Sequence, residues 1–229
     1  MERILSNPEF ENRRNDPAFK TYQEQPKTPE EIFNEFWEQY ENNIEADLKD
    51  RDDVTLEDEK KFSQALIKGI NWDNIASPTE ENPQPNMLFL DMVGTIKGDH
   101  NVRPSLQYLM PFIQNQAQNT FQFQVLSTDS SDDISYFLSK NNMRLESKSL
   151  KDFDSVNIDL NEDFDINMKN VSALHKLTYI QDFLENSILN NITLIDDDIE
   201  IQETFEFDLN NKEVNITLIP SPRIEGKKE

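Results

Sequence analysis

Asp91 stands directly after the apolar run Met87-Leu88-Phe89-Leu90, and Ser127 directly after Phe121–Leu126. Asp196, Asp197 and Asp198 follow Ile192–Ile195, and Lys176 lies ahead of that last run. In open parallel sheets ligands bind beyond the carboxyl ends of the strands, so acids and hydroxyls placed there are the ones to inspect for chemistry. A carboxylate can attack phosphorus and form an acyl phosphate. Two or three carboxylates can hold a magnesium ion against a phosphate, and a lysine and a hydroxyl can hold the remaining phosphate oxygens. Asp91, Ser127, Lys176, Asp196 and Asp197 are therefore matched to phosphoryl transfer, with Mg2+ as the implied cofactor. Gly94 is one of only four glycines, and its place after Asp91 points to a turn where the backbone must approach the phosphate closely.

Other chemistries are closed off. The chain has no cysteine, which removes disulfides, a thiolate nucleophile and thiolate-held zinc. Its two histidines, His100 and His175, are too few for a three-histidine metal site. Carboxylates are the abundant resource, and they suit hard cations. The net charge of -23 makes nucleic acid and anionic membranes poor partners.

These residues need elements to position them. The short continuous apolar run at 87–90 reads as a buried parallel strand, 121–126 as the second strand and 192–195 as another buried strand, with further strands expected at 205–207 and 214–219. Helical spacing of apolar residues marks 104–118, 130–142 and the stretch from Leu174 to Ile188. Residues 143–170 are ambiguous, with short strands expected near Val156 and Ile158. Strands alternating with helices imply an α/β fold, a parallel sheet covered on both faces.

Residues 1–86 read differently. Residues 1–27 are polar. Thr28-Pro29-Glu30-Glu31 opens a helix with a capping box, followed by the stripe Ile32, Phe33, Phe36, Trp37, Tyr40, Ile44 and Leu48. A second helix is expected over 55–68, then a proline-rich loop over 77–86. The expected organisation is a polar segment with a helical hairpin over 1–86, an α/β domain over 87–222 and a tail over 223–229. The charged ending leaves a further C-terminal domain in a longer protein as an expectation.

The order of the pieces resembles the haloacid dehalogenase (HAD) superfamily. Leu90-Asp91-Met92-Val93-Gly94-Thr95 is similar to its first motif, Asp-x-Asp-x-Thr after an apolar strand. Ser127 matches the second, Lys176 the third and Ile195-Asp196-Asp197 the fourth. The resemblance spans Met87 to Pro220. It implies a three-layer Rossmann-like core, with Asp91 as nucleophile and magnesium ligand. The carbonyl of Val93 and the carboxylates of Asp196 and Asp197 would complete the metal's protein ligands. Ser127 and Lys176 would hold the phosphoryl group. Asp198 lies one step beyond the motif, as a helper or an exposed acid.

Val93 departs from the pattern. Phosphatases of the family carry there a second aspartate that protonates the leaving oxygen and activates water, and valine can do neither. Asp99, Asp129, Asp132 and His100 are candidate replacements. Loss of the acid hurts least when the leaving group is a phenol, with a pKa of about 10. Phosphotyrosine in proteins is therefore the expected substrate, and a phosphoprotein the expected partner. The alternative is a degenerate member that binds a partner without turnover. The segments between motifs are too short for a full lid. With Arg103-Pro104 opening a helix, the chain resembles the capless protein phosphatases of the family, and Arg103 is read as a surface arginine or a substrate contact. No apolar run approaches a spanning helix and no signal peptide opens the chain, so a cytosolic location is expected. The polar style and helical extension are similar to those of phosphotyrosine phosphatase effectors of intracellular bacterial pathogens, which are delivered into a host cell. The oligomeric state is left open.

Overall fold

A computed structural model of the chain describes residues 26–97, 101–151, 168–189, 191–197 and 214–224. Two capped helices come first. Helix α1 spans Pro29–Asp47. Thr28 Oγ1 accepts from the Glu31 amide at 3.2 Å, and Glu31 Oε2 accepts from the Thr28 amide at 2.8 Å, which satisfies two donors that a helix start leaves open. Helix α2, Leu56–Gly69, repeats the device with Thr55 and Asp58.

Strand β1 (Asn86–Asp91) leads to helix α3 (Leu106–Gln116) and strand β2 (Phe121–Ser127). Helix α4 (Ser131–Lys140) follows, capped by Ser130, and then strand β3 (Glu146–Ser149). Helix α5 spans Met168–Asn186, strand β4 Asn191–Asp196 and strand β5 Asn215–Pro220. The five strands form one sheet in the order β3-β2-β1-β4-β5, and every pairing is parallel. The fold is thus α/β.

Burial explains which strands sit centrally. Every residue of β1 and β4 is buried, as expected for central strands rich in apolar residues and covered on both faces. Alternate side chains of β1 enter different cores. Leu88 and Leu90 join Phe36, Phe62, Leu66, Leu109 and Ile134 on one face, and Met87 and Phe89 join Leu177, Ile180 and Leu184 of α5 on the other. Helices α1 and α2 share the first core with the sheet. Phe36 meets the Phe112 ring edge-on at 5.2 Å, and Tyr40 stacks on Tyr108 at 5.1 Å.

Two expectations differ from what is seen. Strand β3 falls inside the stretch left ambiguous, because Glu146-Ser147-Lys148-Ser149 has no apolar residue. It is an edge strand with half-exposed side chains, held by backbone pairing to β2. Helix α5 begins at Met168, ahead of the first expected marker Leu174, and ends at Asn186, so the expected marker Ile188 falls beyond it, 66% exposed. The strands expected near Val156, Ile158 and 205–207 lie outside the described residues. No helix among the described residues is long and apolar enough to cross a membrane.

Candidate active site

The strand order reverses direction at β1, with β2 on one side and β4 on the other. Such a switch point opens a crevice at the carboxyl ends of the strands. Asp91 ends β1 and Asp196 ends β4, so backbone pairing of these neighbours brings two acids together that lie far apart in sequence. Asp197 follows. One carboxylate oxygen from each of Asp91, Asp196 and Asp197 lies within 4.8 Å of the others.

Lys176 enters this cluster from midway along α5. Its Nζ stands 2.6 Å from Asp91 Oδ1 and 2.6 Å from Asp196 Oδ2. The lysine and both acids are buried. Two buried carboxylates thus share one buried ammonium, with the third carboxylate, that of Asp197, beside them. Asp91 Oδ2 is buried and accepts no hydrogen bond. A buried charged oxygen without a partner is costly.

Titration follows the same imbalance. Burial, reinforced by the charges of Asp196 and Asp197, pushes the Asp91 carboxyl up to about 7 against the opposing pull of Lys176. Burial alone would lower Lys176, but Asp91 and Asp196 outweigh it and hold the ammonium above the usual lysine range.

The loop after β1 is shaped around Asp197. Gly94 has φ +87°, and a Cβ there would stand 2.5 Å from Asp197 Oδ2. The glycine at this turn makes room for the acid as well as supplying the left-handed backbone. Thr95 is buried and its hydroxyl donates to Asp197 Oδ1 at 3.4 Å. The bridge between Val93 and Lys97 uses the Gly94 amide to Lys97 O (3.0 Å) and the Lys97 amide to Met92 O (2.8 Å), so it makes no use of the Val93 carbonyl. Val93 is 53% exposed.

Ser127 shares the carboxyl edge of the sheet at the end of β2, one position past the partner of Asp91. It is buried, and its hydroxyl accepts from the Asp129 amide at 3.1 Å. The structure therefore brings Asp91, Lys176, Asp196 and Asp197 into one cluster and leaves Ser127 on the neighbouring strand end. Of the candidate replacement acids, Asp129 is half-buried in the loop after β2 and Asp132 is exposed in the first turn of α4. Asp99, His100 and Asp198 lie outside the described residues.

Arg103 is a correction: it is neither a surface arginine nor a substrate contact. It is 1% exposed and pairs with Glu59 of α2 at 3.0 Å, with both side chains fully buried. Its Nε donates to Thr95 O at 2.6 Å, one terminal nitrogen to Pro222 O at 2.5 Å, and its guanidinium lies over the Phe62 ring. The other Glu59 oxygen accepts from the Ser105 amide at 2.9 Å. Arg103 thus ties α2 to the loop after β1 and to the segment after β5. Burial depresses the guanidinium, and Glu59 opposes that shift.

Arg223 was missed by the sequence reading. Its Nε lies 3.4 Å from Asp197 Oδ2. The rule that flagged polar residues after the other strands would have found it beyond β5. An open cleft of about 700 Å³ between Ile32, Trp72 and Thr120 lies at the opposite, amino end of the sheet and holds none of these acids. Compared with known proteins, the chain matches no family model, no curated protein and no solved structure.

Proposed function

We propose that this chain is a Mg2+-dependent phosphatase of the haloacid dehalogenase type, acting through an aspartyl phosphate on phosphotyrosine in proteins. The observation that carries the reading is the unpartnered buried Asp91 Oδ2 within a three-carboxylate cluster that Lys176 enters as a buried counter-charge. An all-oxygen donor set of this kind fits a hard divalent cation. Asp91, Asp196 and Asp197, with the Val93 carbonyl, would hold Mg2+, which when bound offsets the negative charge of acids and phosphate.

The chain's own residues then perform the transfer. An oxygen of Asp91 attacks phosphorus, the phosphorus–oxygen bond to the phenol breaks, and the phenolate leaves. Water then cleaves the acyl phosphate, releasing inorganic phosphate and restoring the Asp91 carboxylate. Lys176 keeps the Asp91 carboxylate oriented through Oδ1 and stays charged throughout. Ser127, at the adjoining strand end, would hold a phosphate oxygen. A phenol needs little help from an acid to leave, which accords with the valine at position 93.

Val93 also favours a second reading, a chain of this fold that binds a phosphorylated partner without turning it over. Its side chain is apolar and exposed where a general acid would act. Hydrolysis of para-nitrophenyl phosphate with Mg2+ or with chelator separates the two. Turnover that needs Mg2+ and disappears in Asp91→Asn is the expected result. A folded, Mg2+-binding chain without turnover would support the second reading, and Val93→Asp should then restore activity.

A further inference from the structure

The segment after β5 is stitched to the site at three backbone points. The Ser221 amide donates to Asp196 O at 2.8 Å, the Pro222 carbonyl accepts from buried Arg103 at 2.5 Å, and the Ile224 amide donates to Gly94 O at 2.9 Å. Arg223 sits between the last two. A surface arginine usually samples many directions, but this one leaves a backbone fixed on both sides. Its side chain is 53% exposed, and Asp197 holds its Nε at 3.4 Å. Among the described residues the guanidinium has no other ion pair or hydrogen bond.

The site needs such a cation. A phosphate dianion approaching the crevice meets three carboxylates on a chain of net charge -23. Lys176 is buried and already engaged by two acids at 2.6 Å each. Among the described residues, half-exposed Arg223 is the cation that reaches Asp197 of the cluster. A guanidinium presents its donors in a planar fork that matches phosphate oxygens.

We propose that Arg223 is the substrate-recognition residue of this site, binding the outer oxygens of the phosphoryl group through its terminal N–H groups while Asp197 orients the fork. The assignment rests on the phosphoryl-transfer reading above. Its test is phosphate binding as well as turnover, with Arg223→Ala and Arg223→Lys compared with the native full chain. Inorganic phosphate is titrated calorimetrically in the presence of Mg2+, and KM and kcat are measured for para-nitrophenyl phosphate. Arg223→Ala should weaken phosphate binding and raise KM by about 10- to 100-fold, the range of a charge-assisted hydrogen bond. Mg2+ affinity and kcat should change little, and lysine should recover part of the loss.

Unchanged phosphate affinity and KM in Arg223→Ala would overturn the assignment. So would a loss confined to kcat and Mg2+ affinity, which would give Arg223 the task of holding Asp197. Phosphate binding that depends on Arg223 in a chain without turnover would keep the assignment and sink the phosphatase reading. A native chain that binds Mg2+ but no phosphate would sink the assignment itself.

Discussion

Gly94→Ala places a single methyl group against the centre of the candidate site. Two costs follow from the structure. The backbone at φ +87° is left-handed, which costs a residue with a Cβ about 1–2 kcal/mol. The new Cβ would stand 2.5 Å from Asp197 Oδ2, 2.9 Å from its Cγ and 3.0 Å from its Oδ1. Relaxed contacts lie near 3.5 Å, so the carboxylate must retreat by about 1 Å. Mg2+ demands ligand distances of about 2.0–2.1 Å and tolerates little departure from them. The expected loss of Mg2+ affinity is at least about tenfold, or about 1.4 kcal/mol. The backbone strain alone should lower the melting temperature by about 2–8 °C for a domain of this size. Calorimetric Mg2+ titration beside thermal unfolding reads both effects. A variant that melts lower yet binds Mg2+ as tightly as the native chain would refute the reasoning that Gly94 makes room for a metal-ligating Asp197. Gly69→Ala is the control. Its Cβ would meet the Ile219 side chain at 2.6 Å, so stability should change while Mg2+ affinity does not.

Three further outcomes are expected. Asp91 binds its proton more tightly folded than unfolded, so between an unfolded value of about 4 and its folded value of about 7 the metal-free chain should lose stability as pH rises. Mg2+ requires the carboxylate, so its affinity should climb through the same window and level off above it; titrations from about pH 5 to about pH 8 that show a flat affinity would contradict this. Glu59→Ala strands the Arg103 charge in the core and should cost about 3–5 kcal/mol, read by denaturant unfolding, whereas a surface pair would cost under about 1 kcal/mol.

The central strands and the acids that end them were legible because both are local properties. A run such as Met87-Leu88-Phe89-Leu90 can be satisfied only where both faces are covered, and a polar residue at its carboxyl end then falls at the sheet's edge. The helix starts at Thr28 and Thr55 were legible for the same reason, since a capping box closes within four residues. Strand β3 carried no such mark. It is a strand because β2 offers it backbone partners, while its side chains stay half in solvent.

By itself, then, the sequence determined an α/β chain without cysteine chemistry, rich in carboxylates, with Asp91, Ser127 and Asp196-Asp197 at strand ends. Only the tertiary structure decided who stands beside whom. Pairing β1 with β4 sets Asp91 next to Asp196, and the face on which α5 lies carries Lys176 between them. The same holds for the arginines. Nothing near Arg103 in sequence announces burial, because its counter-charge, Glu59, comes from a helix that joins the core from another part of the chain. Arg223 meets Asp197 only because β5 lies beside β4. Apolar periodicity records how each segment must be buried, whereas the choice of neighbours is made by non-local packing and pairing, which no single segment encodes.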